Sequence, residues 1–248
     1  VTLMDSLGIS QKEICISDAV KQHFKDIGHD IDSHDVTYEN SQARERTQIL
    51  MDLSNKLGGM VIGTGDLSEL ALGWATYNGD HMSMYGVNCS IPKTLIKYMV
   101  RHVAVNEVDD ITRETLLDII DTPISPELIP ADEDGNISQK TENLVGPYEL
   151  HDFFLYYFLR FGFRPSKIFL LAKKAFDGTN KDVQKYDEKT IKRWLREFTR
   201  RFFNQQFKRS CLPDGPKVGS VSLSPRGDWR MPTDADSSIW LREIDAII

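Results

Sequence analysis

Residues 60–69 read Met-Val-Ile-Gly-Thr-Gly-Asp-Leu-Ser-Glu, and this stretch constrains the fold more than any other. A short β-branched run ends at Gly63-Thr64-Gly65. Asp66 then stands where a helix N-cap belongs, with Glu69 three residues on as in a capping box. Leu67, Leu70, Ala71 and Leu72 follow as an apolar, helix-like stretch. The pattern predicts strand, glycine-bracketed turn and helix in succession. In open parallel sheets such turns lie at the carboxyl ends of the strands, where nucleotides bind.

Composition limits the alternatives. Hydrophobic content of 40% and charged content of 27% describe an ordinary globular chain with ample length for a buried core. No apolar run approaches the roughly 20 residues of a membrane helix, and no signal peptide is visible. Cys15, Cys89 and Cys211 are odd in number and scattered, which fits free thiols in a reducing, cytoplasmic setting and not a disulfide framework or zinc site. The net charge of −7 conceals a polarity. Residues 101–152 hold 13 Asp/Glu against 3 Lys/Arg, whereas residues 153–230 hold 18 Lys/Arg against 7 Asp/Glu. Solvated helix faces account for most of such a pattern. The sharper reading is a basic C-terminal half that meets an anionic ligand. The acidic overall balance argues against general nucleic-acid binding.

Along the chain, Val1 to Leu7 reads as helix closed by Gly8, Lys12 to Ser17 as a short strand, and Asp18 to about Ile27 as helix. Asp30 to Asn40 reads as polar loop. Ser41 to Leu57 carries a helical stripe closed by Gly58-Gly59. Lys93–Ala104, Thr112–Ile120, the aromatic run Tyr148–Phe161 and Asp187–Phe207 read as further helices. Asp121 to Pro147 reads as loop. Gln205 to Ser238 has no period, four prolines, and Trp229 interleaved with basic residues. Structureless stretches beyond roughly 12–15 residues are uncommon in compact domains unless functional or disordered, so this one is expected to cover a ligand. The sum is an α-rich α/β chain with two short strands.

The motifs after the glycine turn carry a resemblance. Gly73-Trp74, Thr76-Tyr77-Asn78-Gly79-Asp80-His81 and Pro92-Lys93-Thr94, taken with residues 63–69, resemble the synthetase domain of the NAD synthetases, ligases that amidate deamido-NAD at the expense of ATP. The likeness covers nearly the whole chain. It includes Asp35 to Arg46, Asp121 to Leu128, Gly146 to Leu150, Arg160 to Lys167, Gln206 to Ser210, Gly215 to Val218 and Leu223 to Arg230. The late motifs are similar to the long, glutamine-dependent branch. One departure stands against the matches: the Ser-Gly-Gly-x-Asp-Ser pyrophosphate loop of that family is absent from this sequence. A chain that opens at Val1, within a helix, is expected to be a cut piece of a longer protein. It would lack the phosphate loop, the first two strands and a glutaminase domain, and would be inactive alone.

The resemblance implies a remnant of a parallel, Rossmann-like nucleotide-binding sheet flanked by helices over 1–120, with a helical extension over 121–248 that packs against it. It implies ATP and magnesium as cofactors, deamido-NAD as substrate, ammonia from an upstream glutaminase domain, and a homodimer of synthetase domains. Residue by residue, it places Thr64, Lys93, Ser125 and Arg46 at ATP, with Thr122 nearby. Asn40, Arg44, Trp74, Tyr77, Asp80 and Lys208 fall at deamido-NAD. Glu69 falls at magnesium, a hard cation that takes carboxylate oxygen, although the capping box alone would also explain it. Lys208 would close over the dinucleotide, and Asp228, if buried, would accept a proton from the incoming ammonium. A salt bridge from Asp228 to Arg226 or Arg230 is the plainer alternative. Two other readings stay open: a different ATP-pyrophosphatase amidoligase, such as a GMP or asparagine synthetase, and a non-catalytic helical interaction module derived from the same family.

Overall fold

A computed structural model describes residues 1–122 and 145–247. Among them are two short strands, β1 (Ile62–Gly63) and β2 (Tyr85–Gly86), and helices α1 (Thr2–Ser6), α2 (Ser17–Ile27), α3 (Val36–Leu57), α4 (Leu67–Leu72), α5 (Lys93–Asn106), α6 (Asp110–Asp121), α7 (Tyr148–Phe161), α8 (Pro165–Ala175), α9 (Glu188–Asn204), α10 (Gln206–Arg209) and α11 (Ser238–Asp245). The class is α/β and strongly helical. Ser125 lies outside the described residues.

The strands pair in parallel, Ile62 with Tyr85 and Gly63 with Gly86. Asp214 adds a single bridge to Tyr85, so the long C-terminal loop reaches back onto this sheet. The helix ends follow the local chemistry. Asp35 accepts hydrogen bonds from the backbone of Thr37 and Tyr38 and starts α3 five residues before the apolar stripe does. Gly58 closes the same helix in the left-handed conformation at φ 65°. Two expectations fail. Residues 12–16 form no strand: no strand among the described residues pairs with them. The segment read as wholly structureless from 205 to 238 begins with α10.

The main core is aromatic and is built by α4, α7, α8, α9 and α11. Phe154 and Phe202 are fully buried and Phe198 nearly so. Phe158 meets Phe202, Trp229 and Trp240 at ring-centre distances of 5.0, 5.9 and 5.4 Å. Trp229, from the segment expected to cover a ligand, is partly buried against this core. Each such side chain, once buried, stabilises the fold by about 1.5–3 kcal/mol.

Two polar devices and one close packing contact pin α4 to the rest. Asp152 of α7 accepts hydrogen bonds from the Ser68 hydroxyl and from the Thr94 backbone and hydroxyl, joining α4, α5 and α7. Arg209 is 1% exposed and donates to the carbonyls of Leu70, Ala71 and Phe202. Burial pulls its pKa down to about 9. The packing contact is at Gly73, which ends α4 at φ 61° and where a Cβ would stand 2.2 Å from Cβ of Gln205. Gly73→Ala is therefore expected to destabilise the chain by more than about 2 kcal/mol, strain and overlap acting together; the urea unfolding midpoint checks it.

The buried His151 predicts a pH dependence. Its Nε2 donates to the Val145 carbonyl at 2.7 Å, and Nδ1 is buried without a hydrogen-bond partner among the described residues. Burial pushes its pKa from 6.5 down to about 4. The unfolded chain therefore takes the proton first as pH falls. Stability is expected to be unaffected by this group above pH about 6.5 and to decline by up to roughly 3 kcal/mol toward pH about 4. Urea unfolding across that range, compared with His151→Gln, measures it.

Candidate functional site

A cavity of about 680 Å³ opens between α3, the β1 turn, α4 and the 205–224 segment. Its wall includes Asn40, Arg44, Arg46, Thr64, Glu69, Trp74, Tyr77, Asp80, Lys93 and Lys208. Ten of the residues singled out by sequence thus share one concave surface. Thr122 and Asp228 are outside the lining.

The floor is the strand–turn–helix unit. Gly63 is required by packing: a Cβ there would meet the Ser83 hydroxyl at 2.4 Å. Asp66 caps α4, accepting from Glu69 N at 2.9 Å, while Glu69 Oε2 accepts from Asp66 N at 3.2 Å. The capping box is therefore real. Lys93, the first residue of α5, brings its ammonium to 2.8 Å from Asp66 Oδ2 and 2.8 Å from Glu69 Oε1. Burial opposes the Lys93 charge, but the two carboxylates outweigh it and raise its pKa. One ammonium cannot neutralise two carboxylates, and the Glu69 carboxyl is pushed up by burial and by Asp66.

The second wall is the Trp74–His81 turn. Asn40 Oδ1 accepts from the Thr76 hydroxyl at 2.7 Å, Asp80 Oδ1 accepts from Thr76 N at 2.8 Å, and Arg44 Nε donates to the Tyr77 carbonyl at 3.2 Å. Tyr77 stacks on His81 at 5.2 Å and leans on Phe207 at 5.4 Å. Burial holds His81 below the ordinary histidine value. The third wall carries Lys208, whose ammonium donates to the carbonyls of Gly73 at 2.7 Å and Ala75 at 2.6 Å. Burial lowers its pKa.

Asp228 is placed elsewhere. Lys217 donates to its Oδ1 at 2.6 Å, and that bond chiefly holds its carboxyl below the usual range. The arginines named as alternative partners go to other acceptors: Arg226 pairs with Asp214 at 2.7 Å, and Arg230 donates to the Arg226 carbonyl. Sequence reasoning assigned no role to His81, Phe207 or Arg201, all of which line the cavity. His81 and Phe207 lie inside the motifs Thr76–His81 and Gln206–Ser210, whereas no motif marks Arg201. No group of three metal-ligating side chains occurs among the described residues, and none of their helices is long and apolar enough to cross a membrane.

The sequence model of the family described as NAD synthase matches residues 1–136. The chain belongs to the NAD synthase family. It is 46% identical over 261 residues to the glutamine-dependent NAD(+) synthetase of Mycobacterium leprae, covering 98% of this chain and 38% of that protein. The synthetase of the same description from Thermotoga maritima is 30% identical over 233 residues, covering 93% and 35%. This NAD synthase-family chain thus spans well under half the length of those relatives. Its fold is similar to that of a glutamine-dependent NAD(+) synthetase from Cytophaga hutchinsonii, with a TM-score of 0.75 at 19% identity over 98% of this chain and 37% of that one.

The buried triad generates a prediction. Lys93→Met leaves Asp66, 2% exposed, without its ammonium. Removing one partner of a buried pair costs about 3–5 kcal/mol, and a loss of that order in chemical denaturation is expected. Pairing Lys93→Met with Glu69→Gln should recover part of it.

Proposed function

We propose that this chain carries the dinucleotide side of an ATP-dependent amidation of deamido-NAD to NAD. The observation that supports it most is the convergence of Asn40, Arg44, Trp74, Tyr77, Asp80 and Lys208 on one cavity with the glycine turn and Lys93. A carboxylate is a poor electrophile, so its oxygen must first attack the α-phosphorus of ATP, forming an acyl-adenylate and releasing pyrophosphate. Ammonia, supplied by a glutaminase domain of the longer protein, then attacks the acyl carbon and AMP leaves with the C–O bond electrons.

In this reading Thr64, Arg46 and Ser125 meet ATP, with Lys93 reaching its phosphates from the α5 start. A charge-assisted bond of that kind contributes about 1.5–3 kcal/mol. Asn40, Arg44 and Asp80 meet the dinucleotide's polar groups, and Trp74 and Tyr77 its aromatic ring. Glu69 fits magnesium as a single oxygen ligand: it is on the cavity wall, and it and Asp66 share only one ammonium. Magnesium usually binds one or two carboxylates together with substrate phosphates, and when bound it would offset phosphate charge. Lys208 is released from its two carbonyls to close on the ligand. Asp228 takes a proton from ammonium only if it leaves Lys217.

The test is calorimetric titration of the purified chain with deamido-NAD, alongside Lys208→Ala and Asn40→Ala. Binding to the unaltered chain and its loss in both variants are the expected results. No binding to the unaltered chain would overturn the placement of the dinucleotide site on this cavity. Pyrophosphate release from ATP and deamido-NAD is expected to be absent, because the sequence holds no Ser-Gly-Gly-x-Asp-Ser loop.

A further inference from the structure

Arg201 stands on α9 in the wall of the same cavity, and nothing in the motifs points to it. Its Nε donates to Glu197 Oε1 at 2.8 Å, and its guanidinium carbon lies 5.2 Å from the centre of the Trp74 ring. Glu197 is also held by Arg200, which donates to both carboxylate oxygens at 2.9 and 2.6 Å. One carboxylate between two guanidinium groups leaves one positive charge over. Arg200, with a side chain 42% exposed, is offset by water and does not line the cavity. Arg201, 17% exposed, is less open to water. Its two terminal nitrogens have no hydrogen bond to any described residue beyond that made through Nε.

The neighbourhood sharpens this surplus. Lys208 lies close enough for the Arg201 charge to help burial depress its pKa. Two cations therefore crowd one end of the cavity, and the acids facing them are Glu197, already shared, and Asp80, which acts on Lys208. Guanidinium groups stack on aromatic faces and present planar pairs of N–H donors that match carboxylate and phosphate oxygens. A half-filled fork on a tryptophan face, in a concave wall, is a preformed oxyanion seat.

We propose that Arg201 holds an oxyanion of the dinucleotide, its ring carboxylate or its pyrophosphate, beside Trp74. The assignment rests on the reading of this cavity as the deamido-NAD site.

The experiment titrates the chain with deamido-NAD and with NAD, which differ only in carboxylate against amide, for the unaltered chain, Arg201→Gln, Arg201→Lys and Arg200→Gln. Arg201→Gln is expected to weaken deamido-NAD binding roughly tenfold to a hundredfold. Arg201→Lys, which keeps the charge and loses the fork, recovers part of that and serves alone if the glutamine variant does not fold. Arg200→Gln, outside the cavity, frees Glu197 to pair with Arg201 alone and is expected to weaken affinity far less than Arg201→Gln does. A loss confined to deamido-NAD assigns the ring carboxylate to Arg201, and an equal loss for both dinucleotides assigns the pyrophosphate. Unchanged affinity at Arg201, or an equal loss at Arg200, overturns the assignment and leaves the site reading standing. Failure of the unaltered chain to bind either dinucleotide overturns the site reading, and the assignment with it.

Discussion

Everything in the cavity depends on how a six-residue helix is held at both ends. Leu67–Leu72 is far shorter than the roughly 12–15 residues at which an isolated helix becomes even marginal in water. Its first turn is closed by the Asp66–Glu69 capping box and by Lys93 from α5. Its last carbonyls are taken by Arg209, and those just beyond it by Lys208. Cations at a helix C-terminus also favour the backbone dipole. Glu69, Trp74 and the turn that follows owe their positions to these clamps. The acidic end is held by Lys93 and by Asp152 on Ser68, and the carbonyl end by Lys208 and Arg209.

That division explains what was legible. The helices α3, α5, α7 and α9 could be read from apolar period and, for all but α9, a terminal glycine or proline, because those signals are local. The start of α3 was missed by five residues because the apolar stripe begins later than the Asp35 cap. The segment 12–16 alternates like a strand, but strand formation requires a partner, and pairing is not written in the segment itself. In the site, the glycine turn and the Trp74–His81 motif were legible. The inward turn of Lys93 toward Asp66 was not, because the partners are 27 positions apart and only the fold brings them together.

The 205–238 segment shows the same limit at finer scale. Its lack of period and its prolines correctly marked a loop against the cavity, and Phe207, Lys208, Leu212 and Ser224 do line it. Composition could not say which of its residues face inward to the core. Trp229 fills a gap between Phe158 and Phe202, Asp214 extends the sheet, and Asp228 pairs with Lys217. A tryptophan among arginines satisfies a ligand site and an aromatic core equally well until burial decides.

Charge counting along the chain likewise overstates and understates the cavity at once. A cation bonded to a carboxylate loses its field, whereas one bonded to carbonyls keeps its full charge and is merely positioned. Lys93 is of the first kind. Lys208 on the Gly73 and Ala75 carbonyls and Arg44 on the Tyr77 carbonyl are of the second. An anionic ligand in this cavity would therefore meet Lys208 once it leaves its two carbonyls, and Arg44 already held in place by a neutral acceptor. Such preorganisation lowers the entropy lost on binding. It would meet Lys93 only after competing with two carboxylates. The partner of each cation, more than the number of cations, determines where negative charge can settle.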